Sequence, residues 1–289
     1  MTLAEIYPAI KKSIVAFVPK YLPSMEKENG YRFPPILGTG FAIREDGLVA
    51  TNHHVVDSFA DAWRPPGLDP DEWGIDAMLL YPAEKGIIDI RIPVIGVINI
   101  GSHVRSYGPK APDLSFVRVL ANDLTPIKIS ETRRITEGLD IGTAGYPLGR
   151  RALDGPWGLH QVTPTLQKGI ISAVLPYPSE KPYSFSVNIM SNSGGSGSPV
   201  FFEDSGELAG ILFSVLNDVG YTKKNDEYLI PTTISYAVPF HYILSALSRV
   251  GNIKYPEGKE IRSITKIVCE SSPGSVYREG VCYHDYSDK

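Results

Sequence analysis

Short apolar segments separated by glycine, proline, asparagine and aspartate constrain the fold of this chain most strongly. The 289-residue sequence contains 24 prolines and 27 glycines. This composition disfavours long helices, because proline lacks an amide hydrogen and glycine loses the most backbone entropy in a helix. The segments predict β-strands at 13–18, 37–43, 47–51, 77–81, 86–100, 114–119, 139–146, 166–174, 183–189, 199–203, 207–215 and 234–238. Many short strands joined by frequent turns are typical of an all-β sandwich or barrel.

Two segments depart from the strand pattern. Residues 3–12 and 239–250 carry apolar residues at helical spacing, which predicts a short helix at each end of the strand-rich region. Beyond them, residues 251–289 contain strand-like pieces at 263–268 and 280–283. We expect this tail to form either an extra hairpin packed on the rest of the protein or a short interaction element.

A serine in a glycine-dense turn is the first candidate for chemistry. Residues 193–202 read Ser-Gly-Gly-Ser-Gly-Ser-Pro-Val-Phe-Phe, so the turn leads directly into an apolar strand. Glycines let several backbone amides approach one small space, as an oxyanion requires during acyl transfer, and Ser196 would be the attacking group. Runs of this composition are also ordinary turns or flexible loops, so the run by itself does not decide between the two.

Two upstream segments carry the partners that a serine nucleophile needs. Residues 51–57 read Thr-Asn-His-His-Val-Val-Asp after an apolar strand, and a histidine fixed at a strand end is suited to act as a general base. Asp113 precedes the strand at 114–119, where an acid could hold an imidazole in one tautomer. Such a histidine can equally be structural, and such an acid can be a turn former or a cap.

Short motifs follow one another in a fixed order along residues 4–248. They lie at Gly38–Ile43, Thr51–Val55, Asp113–Ser115, Gly142–Gly149, Lys168–Ala173, Asn192–Pro199 and Tyr236–Pro239. Together they resemble the trypsin-like, chymotrypsin-fold serine peptidases, and most closely the protease domain of the HtrA/Deg branch. The matches include Thr-Asn-x-His-Val for the base and Asn-x-Gly-x-Ser-Gly-x-Pro for the nucleophile.

The resemblance implies an all-β fold of two six-stranded antiparallel β-barrels packed around a cleft, with short N-terminal and C-terminal helices. It divides the chain into an N-terminal barrel at 1–130 with the base and acid, a C-terminal barrel at 131–250 with the nucleophile, and an extension of unassigned role at 251–289. The residues after Val250 are too few for a PDZ domain of roughly 90 residues, so we expect a protease domain without one.

The same resemblance assigns roles to individual residues. Ser196 would be the nucleophile, His54 rather than His53 the base, and Asp113 the acid that orients it.

The family pattern also implies an oxyanion hole and a specificity pocket. The oxyanion hole would be formed by the backbone amides of Gly194, Gly195 and Ser196. The primary specificity pocket would be formed by Met190, Phe213, Ser214 and Ser235. Because no acid lies at the base of this pocket, we expect preference for an apolar residue at the cleavage site rather than for lysine or arginine.

These assignments predict a serine endopeptidase that cuts protein or peptide substrates through an acyl-enzyme, without a metal or cofactor. The alternative is a catalytically silent or partner-activated trypsin-fold module that binds or acts as a scaffold. An α/β-hydrolase is disfavoured, because Ser198 stands where the Gly-x-Ser-x-Gly elbow has its second glycine. Insertions at 61–76 and 150–165 either carry binding or are surface excursions.

Charge and cysteine content bear on partners and location. A net charge of −4 and a pI near 5.9 give no reason to expect nucleic-acid or membrane partners, whereas a regulatory partner or homo-oligomer stays open. Without a recognisable secretory leader, and with only Cys269 and Cys282, the chain is expected to be cytoplasmic. The two thiols could pair, and a metal site with His284 is a weaker alternative.

Overall fold

A computed structural model describes most of the chain. The described residues are 2–20, 33–62, 73–83, 86–100, 112–130, 132–153, 163–176, 179–222, 226–252, 254–272, 275–278 and 281–284. They form two closed, six-stranded antiparallel barrels, which confirms the predicted fold class.

The first barrel is built from the N-terminal strands. In chain order these are β1 (Ile14–Pro19), β2 (Gly38–Arg44), β3 (Leu48–Thr51), β4 (Ile75–Ala83), β5 (Gly86–Asn99) and β6 (Ser115–Val119). They pair in the order β1-β2-β3-β6-β5-β4 and close on themselves, so the sheet leaves no free edge.

The second barrel repeats this architecture. Its strands are β7 (Asp140–Gly145), β8 (Thr165–Leu175), β9 (Ser184–Val187), β10 (Pro199–Phe202), β11 (Leu208–Tyr221) and β12 (Glu227–Pro239). They pair in the order β10-β11-β12-β9-β8-β7.

Strand β1 shows why several strands are apolar on both faces. Successive side chains of a strand point to opposite sides of the sheet. Val15 and Phe17 belong to the core inside the first barrel, whereas Ile14, Ala16 and Val18 belong to the core that this barrel shares with the second. Both faces are therefore buried, and the strand is a continuous apolar run rather than an alternating one.

Five short helices accompany the barrels in the described part of the chain. They are α1 (Leu3–Lys11), α2 (His53–Asp57), α3 (Arg150–Leu153), α4 (Phe240–Leu247) and α5 (Ile264–Glu270). Helices α1 and α4 lie where the apolar spacing predicted them. Within the described ranges, none of the helices has the length and apolar character needed to cross a bilayer.

The first helix reaches across to the second barrel. Ile6 and Ile10 are buried in the shared core, and the Tyr7 hydroxyl donates a hydrogen bond to the Pro164 carbonyl at 2.6 Å. The N-terminal helix thus holds the start of the chain against the far barrel, although the next strand belongs to the near one.

The C-terminal extension differs from the sequence expectation. The piece at 263–268 was predicted to be a strand, but it lies largely in helix α5, because Ser263 and Asp123 cap its first turn. Asp123 accepts hydrogen bonds from the Ile264 amide at 2.5 Å and the Thr265 amide at 2.9 Å, which satisfies amides that the helix start leaves without partners.

A small hairpin ends the described chain. Strands β13 (Ser275–Arg278) and β14 (Val281–His284) pair with each other, and the Cys269–Cys282 disulfide ties β14 to helix α5. The Tyr255 hydroxyl donates to the carbonyls of Asp46 and Ala121, each at 2.9 Å. The extension is therefore fastened to the first barrel.

Strands β11 and β12 extend farther than the apolar pattern predicted. The expected strands covered 207–215 and 234–238, with a loop between them. The structure instead continues both strands as a paired hairpin, in which Val219 lies opposite Leu229 and Tyr221 opposite Glu227. Polar and glycine residues in this stretch obscured the strand signal.

Candidate active site

Strand pairing in the first barrel brings the candidate base and acid together. Strands β3 and β6 are antiparallel with Thr51 opposite Ser115, so the end of β3 lies beside the start of β6. Helix α2 begins two residues after Thr51, and Asp113 lies two residues before Ser115. The His54 Nδ1 atom is consequently 2.6 Å from the Asp113 Oδ2 atom, although the residues are far apart in sequence.

The environment of Asp113 favours its charged form. Burial raises the pKa of this carboxyl, but the hydrogen bond and electrostatic effect of His54 and the backbone amides of His53 and His54 outweigh burial, so its pKa lies below the usual value. The two amides donate to Asp113 Oδ1 at 2.8 Å and 3.2 Å. The acid is held as a carboxylate at neutral pH.

The carboxylate determines which imidazole nitrogen carries the proton. An ionised carboxylate only accepts hydrogen bonds, so the His54 Nδ1 atom is the donor. The lone pair of the neutral ring then lies on Nε2, the atom that a general base would use.

Ser196 lies in a tight loop that precedes strand β10. Gly194 and Gly197 have φ values of 89° and 86°, the left-handed region that glycine adopts without strain. A Cβ atom at Gly194 would lie 2.5 Å from the Tyr146 carbonyl oxygen, so the loop packs directly on neighbouring backbone. These two positions explain the glycine density in the motif.

The backbone amides of the loop differ in their partners. The Gly195 amide donates to the Asn192 carbonyl at 2.8 Å, so it is already used within the loop. The amides of Gly194 and Ser196 have no acceptor among the residues that the structure describes. Of the three predicted oxyanion donors, Gly194 and Ser196 thus keep their amides available.

His54 and Ser196 line one cavity of about 230 Å³ at the junction of the barrels. The base comes from the first barrel, and the serine comes from the second. The described residues that line it are His54, Ser191, Asn192, Ser193, Ser196, Phe213, Ser214, Val215, Asn217 and Pro231.

The predicted pocket residues occupy different places. Phe213 and Ser214 line this cavity, whereas Met190 and Ser235 are not among the described residues that line it. Ser235 is buried, donates to the Ile189 carbonyl at 2.6 Å and accepts from the Ser191 amide at 3.1 Å. It therefore holds the segment beside the cavity rather than facing the cavity.

Sequence reasoning missed the contribution of the β11–β12 hairpin. Asn217 and Pro231 lie opposite each other in its register, and both line the cavity. Neither belongs to a recognisable motif, and only an expectation that the strands continue past residue 215 could have indicated them.

The adjacent histidine has a different setting. The His53 ring is buried, with Nδ1 3.1 Å from the Ser115 hydroxyl, and its Nε2 atom lies 3.6 Å from Asp57. His53 does not line the cavity that His54 and Ser196 share.

Two other sequence expectations concern loops and metals. Most of each predicted insertion lies outside the described residues. Cys269 and Cys282 form a disulfide, so the weaker metal interpretation of these thiols is wrong. In the described part of the chain, no group of three or more histidine, cysteine or acidic side chains converges on one point.

Comparison with known proteins adds evidence independent of the geometry. A family model described as "Trypsin-like peptidase domain" matches residues 38–211. A "Probable periplasmic serine endoprotease DegP-like" of Pseudomonas fulva (strain 12-X) is 30% identical over 187 residues, covering 64% of this chain and 30% of the relative. A protein of the same description in Marinomonas sp. (strain MWYL1) is 25% identical over 217 residues, covering 74% of this chain and 35% of the relative. The chain thus spans about a third of the length of these relatives.

Solved structures support the fold. An "HtrA-type protease AlgW with tripeptide" superposes with a TM-score of 0.50 at 17% identity, covering 86% of this chain and 63% of the other. At this identity the likeness concerns the fold alone.

The expected cytoplasmic location is wrong. The curated relatives are named periplasmic endoproteases. The Cys269–Cys282 disulfide agrees with this correction, because such bonds persist in oxidising compartments. The low cysteine count did not indicate the cellular compartment, because a single disulfide bond is enough to attach a short C-terminal extension.

Proposed function

Because the chain belongs to the trypsin-like peptidase domain family, we propose that it is a serine endopeptidase with Ser196, His54 and Asp113 as its catalytic triad. The Ser196 hydroxyl attacks the scissile carbonyl carbon while His54 Nε2 takes the hydroxyl proton. The tetrahedral intermediate then collapses, the C–N bond breaks, and His54 returns the proton to the leaving amine. Water, deprotonated by His54, hydrolyses the acyl-enzyme in the same way and regenerates Ser196.

Asp113 has a positioning and electrostatic role in this scheme. Its carboxylate keeps the Nδ1 proton on His54 and stabilises the imidazolium that forms when Nε2 accepts the serine proton. Three hydrogen bonds hold this carboxylate in one orientation; they come from the His53 amide, the His54 amide and the His54 ring.

The amides of Gly194 and Ser196 bind the oxyanion. Each such donor lowers the barrier by about 3 kcal/mol in comparable enzymes. The Gly195 amide, predicted as a third donor, takes no part because it already donates to Asn192.

One observation carries the proposal. A carboxylate-bound histidine from one barrel and a serine in a glycine-bounded loop of the other line the same cavity. The names of the curated relatives as serine endoproteases support the same activity. We further propose that the first barrel supplies base and acid, and the second supplies the nucleophile and the substrate pocket.

The proposed substrates are proteins or peptides with an apolar side chain at the cleavage site. Phe213 lines the cavity with Ser196, and no acidic residue does so among the described ones. Cleavage confined to sites after lysine or arginine, in a peptide-library scan, would reject this specificity.

An oxidising compartment, in which the Cys269–Cys282 disulfide stays intact, is the proposed location of the protein.

Replacement of the nucleophile tests the activity. We expect Ser196→Ala to abolish hydrolysis of an unfolded protein substrate while leaving the thermal unfolding midpoint close to that of the unmodified protein. Surviving turnover in this variant means that the nucleophile is misassigned.

A fluorophosphonate probe separates the enzyme from its rival, a catalytically silent trypsin-fold binding module. The proposed enzyme labels at Ser196, and the Ser196→Ala variant does not. Absence of labelling in the unmodified protein, with the fold intact, favours the silent module.

A further inference from the structure

Thr39 in the first barrel contacts the nucleophile loop of the second barrel through two hydrogen bonds. Its hydroxyl donates to the Gly194 carbonyl at 2.7 Å, and its backbone amide donates to the Ser196 carbonyl at 2.9 Å. The residue is completely buried on strand β2. One threonine thus holds two carbonyls of the loop that contains the candidate nucleophile.

Thr39 is itself fixed on its other sides. Its hydroxyl accepts from the Tyr146 amide at 3.1 Å, and its carbonyl accepts from the Thr51 hydroxyl at 2.7 Å. A Cβ atom on Gly197 would lie only 1.9 Å from the Thr39 carbonyl oxygen. Every polar group of Thr39 is therefore paired, and the loop lies directly against it.

The bond to the Gly194 carbonyl acts on the peptide between the two oxyanion donors. That peptide joins Gly194 to Gly195, and it lies between the Gly194 amide on one side and the Ser196 amide on the other. Its carbonyl is held by Thr39, and its amide is held by Asn192 at 2.8 Å. With both ends bonded, the central peptide resists rotation, and the directions of the flanking amides are fixed with it.

We propose that Thr39 is a positioning residue, whose hydroxyl holds the loop from Asn192 to Ser198 so that the Gly194 and Ser196 amides face the oxyanion. This inference rests on the proposed endopeptidase activity. It adds that the oxyanion hole depends on a side chain from the opposite barrel.

The test compares Thr39→Val, which has nearly the same shape but no hydroxyl, with Thr39→Ser, which keeps the hydroxyl. Loss of oxyanion alignment in Thr39→Val should lower kcat by about 10- to 100-fold and leave KM within about threefold, because the interaction acts in the transition state. Thr39→Ser should recover most of the lost kcat. If Thr39→Val does not fold, Thr39→Ala against Thr39→Ser provides the same contrast.

Thr143→Val is the matched control. The Thr143 hydroxyl is also buried and donates to a backbone carbonyl, that of Pro199, at 2.8 Å, but this bond lies outside the loop. We expect Thr143→Val to leave kcat within about twofold of the unmodified enzyme.

Hydrogen exchange of the peptide spanning 192–198 gives a readout that does not need turnover. Exchange there should be faster in Thr39→Val than in the unmodified protein, Thr39→Ser or Thr143→Val. Unchanged exchange in Thr39→Val overturns the positioning role, as does an unchanged kcat in an active enzyme. Faster exchange together with an inert unmodified protein would instead overturn the proposed activity while supporting the positioning role.

Discussion

Two segments of the second barrel border the same cavity and are built in opposite ways. The nucleophile loop, residues 192–198, is bonded to the first barrel through Thr39 and bounded by glycines that admit close backbone contact. The distal hairpin, formed by residues 216–222 and 226–232, is held by its own strand pairing. One segment is fixed by the other barrel, and the other projects beyond its own.

Exposure separates the two segments clearly. The distal hairpin carries exposed apolar side chains on both faces, with Leu229 66% exposed on one face and Tyr228 50% exposed on the other. In the nucleophile loop, Gly194, Gly195, Gly197 and Ser198 are buried, and the Ser198 hydroxyl donates to the Gly195 carbonyl at 2.6 Å.

The difference indicates that the two segments have different roles at the cavity. Oxyanion stabilisation depends on donors held in place before the reaction, which suits a loop with its carbonyls bonded across a barrel interface. Contact with the varied side chains of substrates does not require groups to be held as precisely as the oxyanion donors. Substitutions in the first segment should therefore affect chemistry and stability strongly, and those in the second should affect them weakly.

The largest effect is expected from replacing His54, the proposed base, which lines the cavity together with Ser196 of the nucleophile loop. His54→Ala should lower kcat/KM by on the order of 10⁴-fold or more, because the serine loses its proton acceptor. His53→Ala is the control, since the His53 ring bonds to Ser115 and not to the cavity. Steady-state hydrolysis of one peptide by both variants checks this, and the reverse ranking would mean that His53 is the base.

The second effect is a loss of stability at the barrel junction. Gly197→Ala places a Cβ atom 1.9 Å from the Thr39 carbonyl oxygen at a φ of 86°, so it should reduce the free energy of unfolding by about 3 kcal/mol or more. Gly138→Ala is the matched control, because Gly138 has a φ of 83° and no neighbour within 4 Å of the added atom. It should cost only about 1–2 kcal/mol.

Urea unfolding of both variants measures the difference. Equal losses would show that backbone strain alone, and not contact between the barrels, makes glycine necessary at 197. The firm attachment of the nucleophile loop would then be in question.

Local sequence patterns predicted an all-β fold, whereas the two-barrel arrangement and the roles of the site residues were implied by the family resemblance. Short apolar segments and turns predicted the strands. The motifs around His54 and Ser196 indicated residues that line one cavity in the structure, and Asp113 is hydrogen-bonded to His54. The spatial link between them arises from pairing, with Thr51 opposite Ser115, which no single segment encodes.

Features that depend on distant partners could not be predicted in this way. Helix α5 replaces a predicted strand because Asp123, far away in sequence, caps it. The contacts of Thr39 with the second barrel could not be predicted, because the Gly38–Ile43 motif does not indicate which groups the Thr39 hydroxyl binds across the barrel interface. The distal hairpin was missed because its strands have exposed faces and no core pattern.

A third prediction concerns the contribution of Asp113 to the stability of the protein at acidic pH. Burial raises the pKa of Asp113, but its bonds from His54 and His53 lower it below the usual 3.8. A carboxyl with a lowered folded-state pKa stabilises the protein fully above its unfolded-state pKa, and this contribution is lost as pH falls through the folded-state value.

Unfolding free energies measured between about pH 5 and pH 3 test this sign. The difference in stability between the unmodified protein and Asp113→Asn should shrink as the pH falls, because protonation removes what the substitution removes. A difference that stays constant over this range would show that folding does not lower the pKa of Asp113.

The smallest effect is expected on the distal hairpin. Leu229 in the distal hairpin is 66% exposed, whereas Leu212, in the part of strand β11 that belongs to the barrel, is 2% exposed. Leu229→Ala should change the free energy of unfolding by less than about 0.5 kcal/mol, and Leu212→Ala should cost about 2–5 kcal/mol. Denaturant unfolding of both at two protein concentrations makes the comparison. A large, concentration-dependent loss in Leu229→Ala would show that the exposed hairpin is covered by another copy in solution, and the contrast between a fixed and a free side of the cavity would then fail.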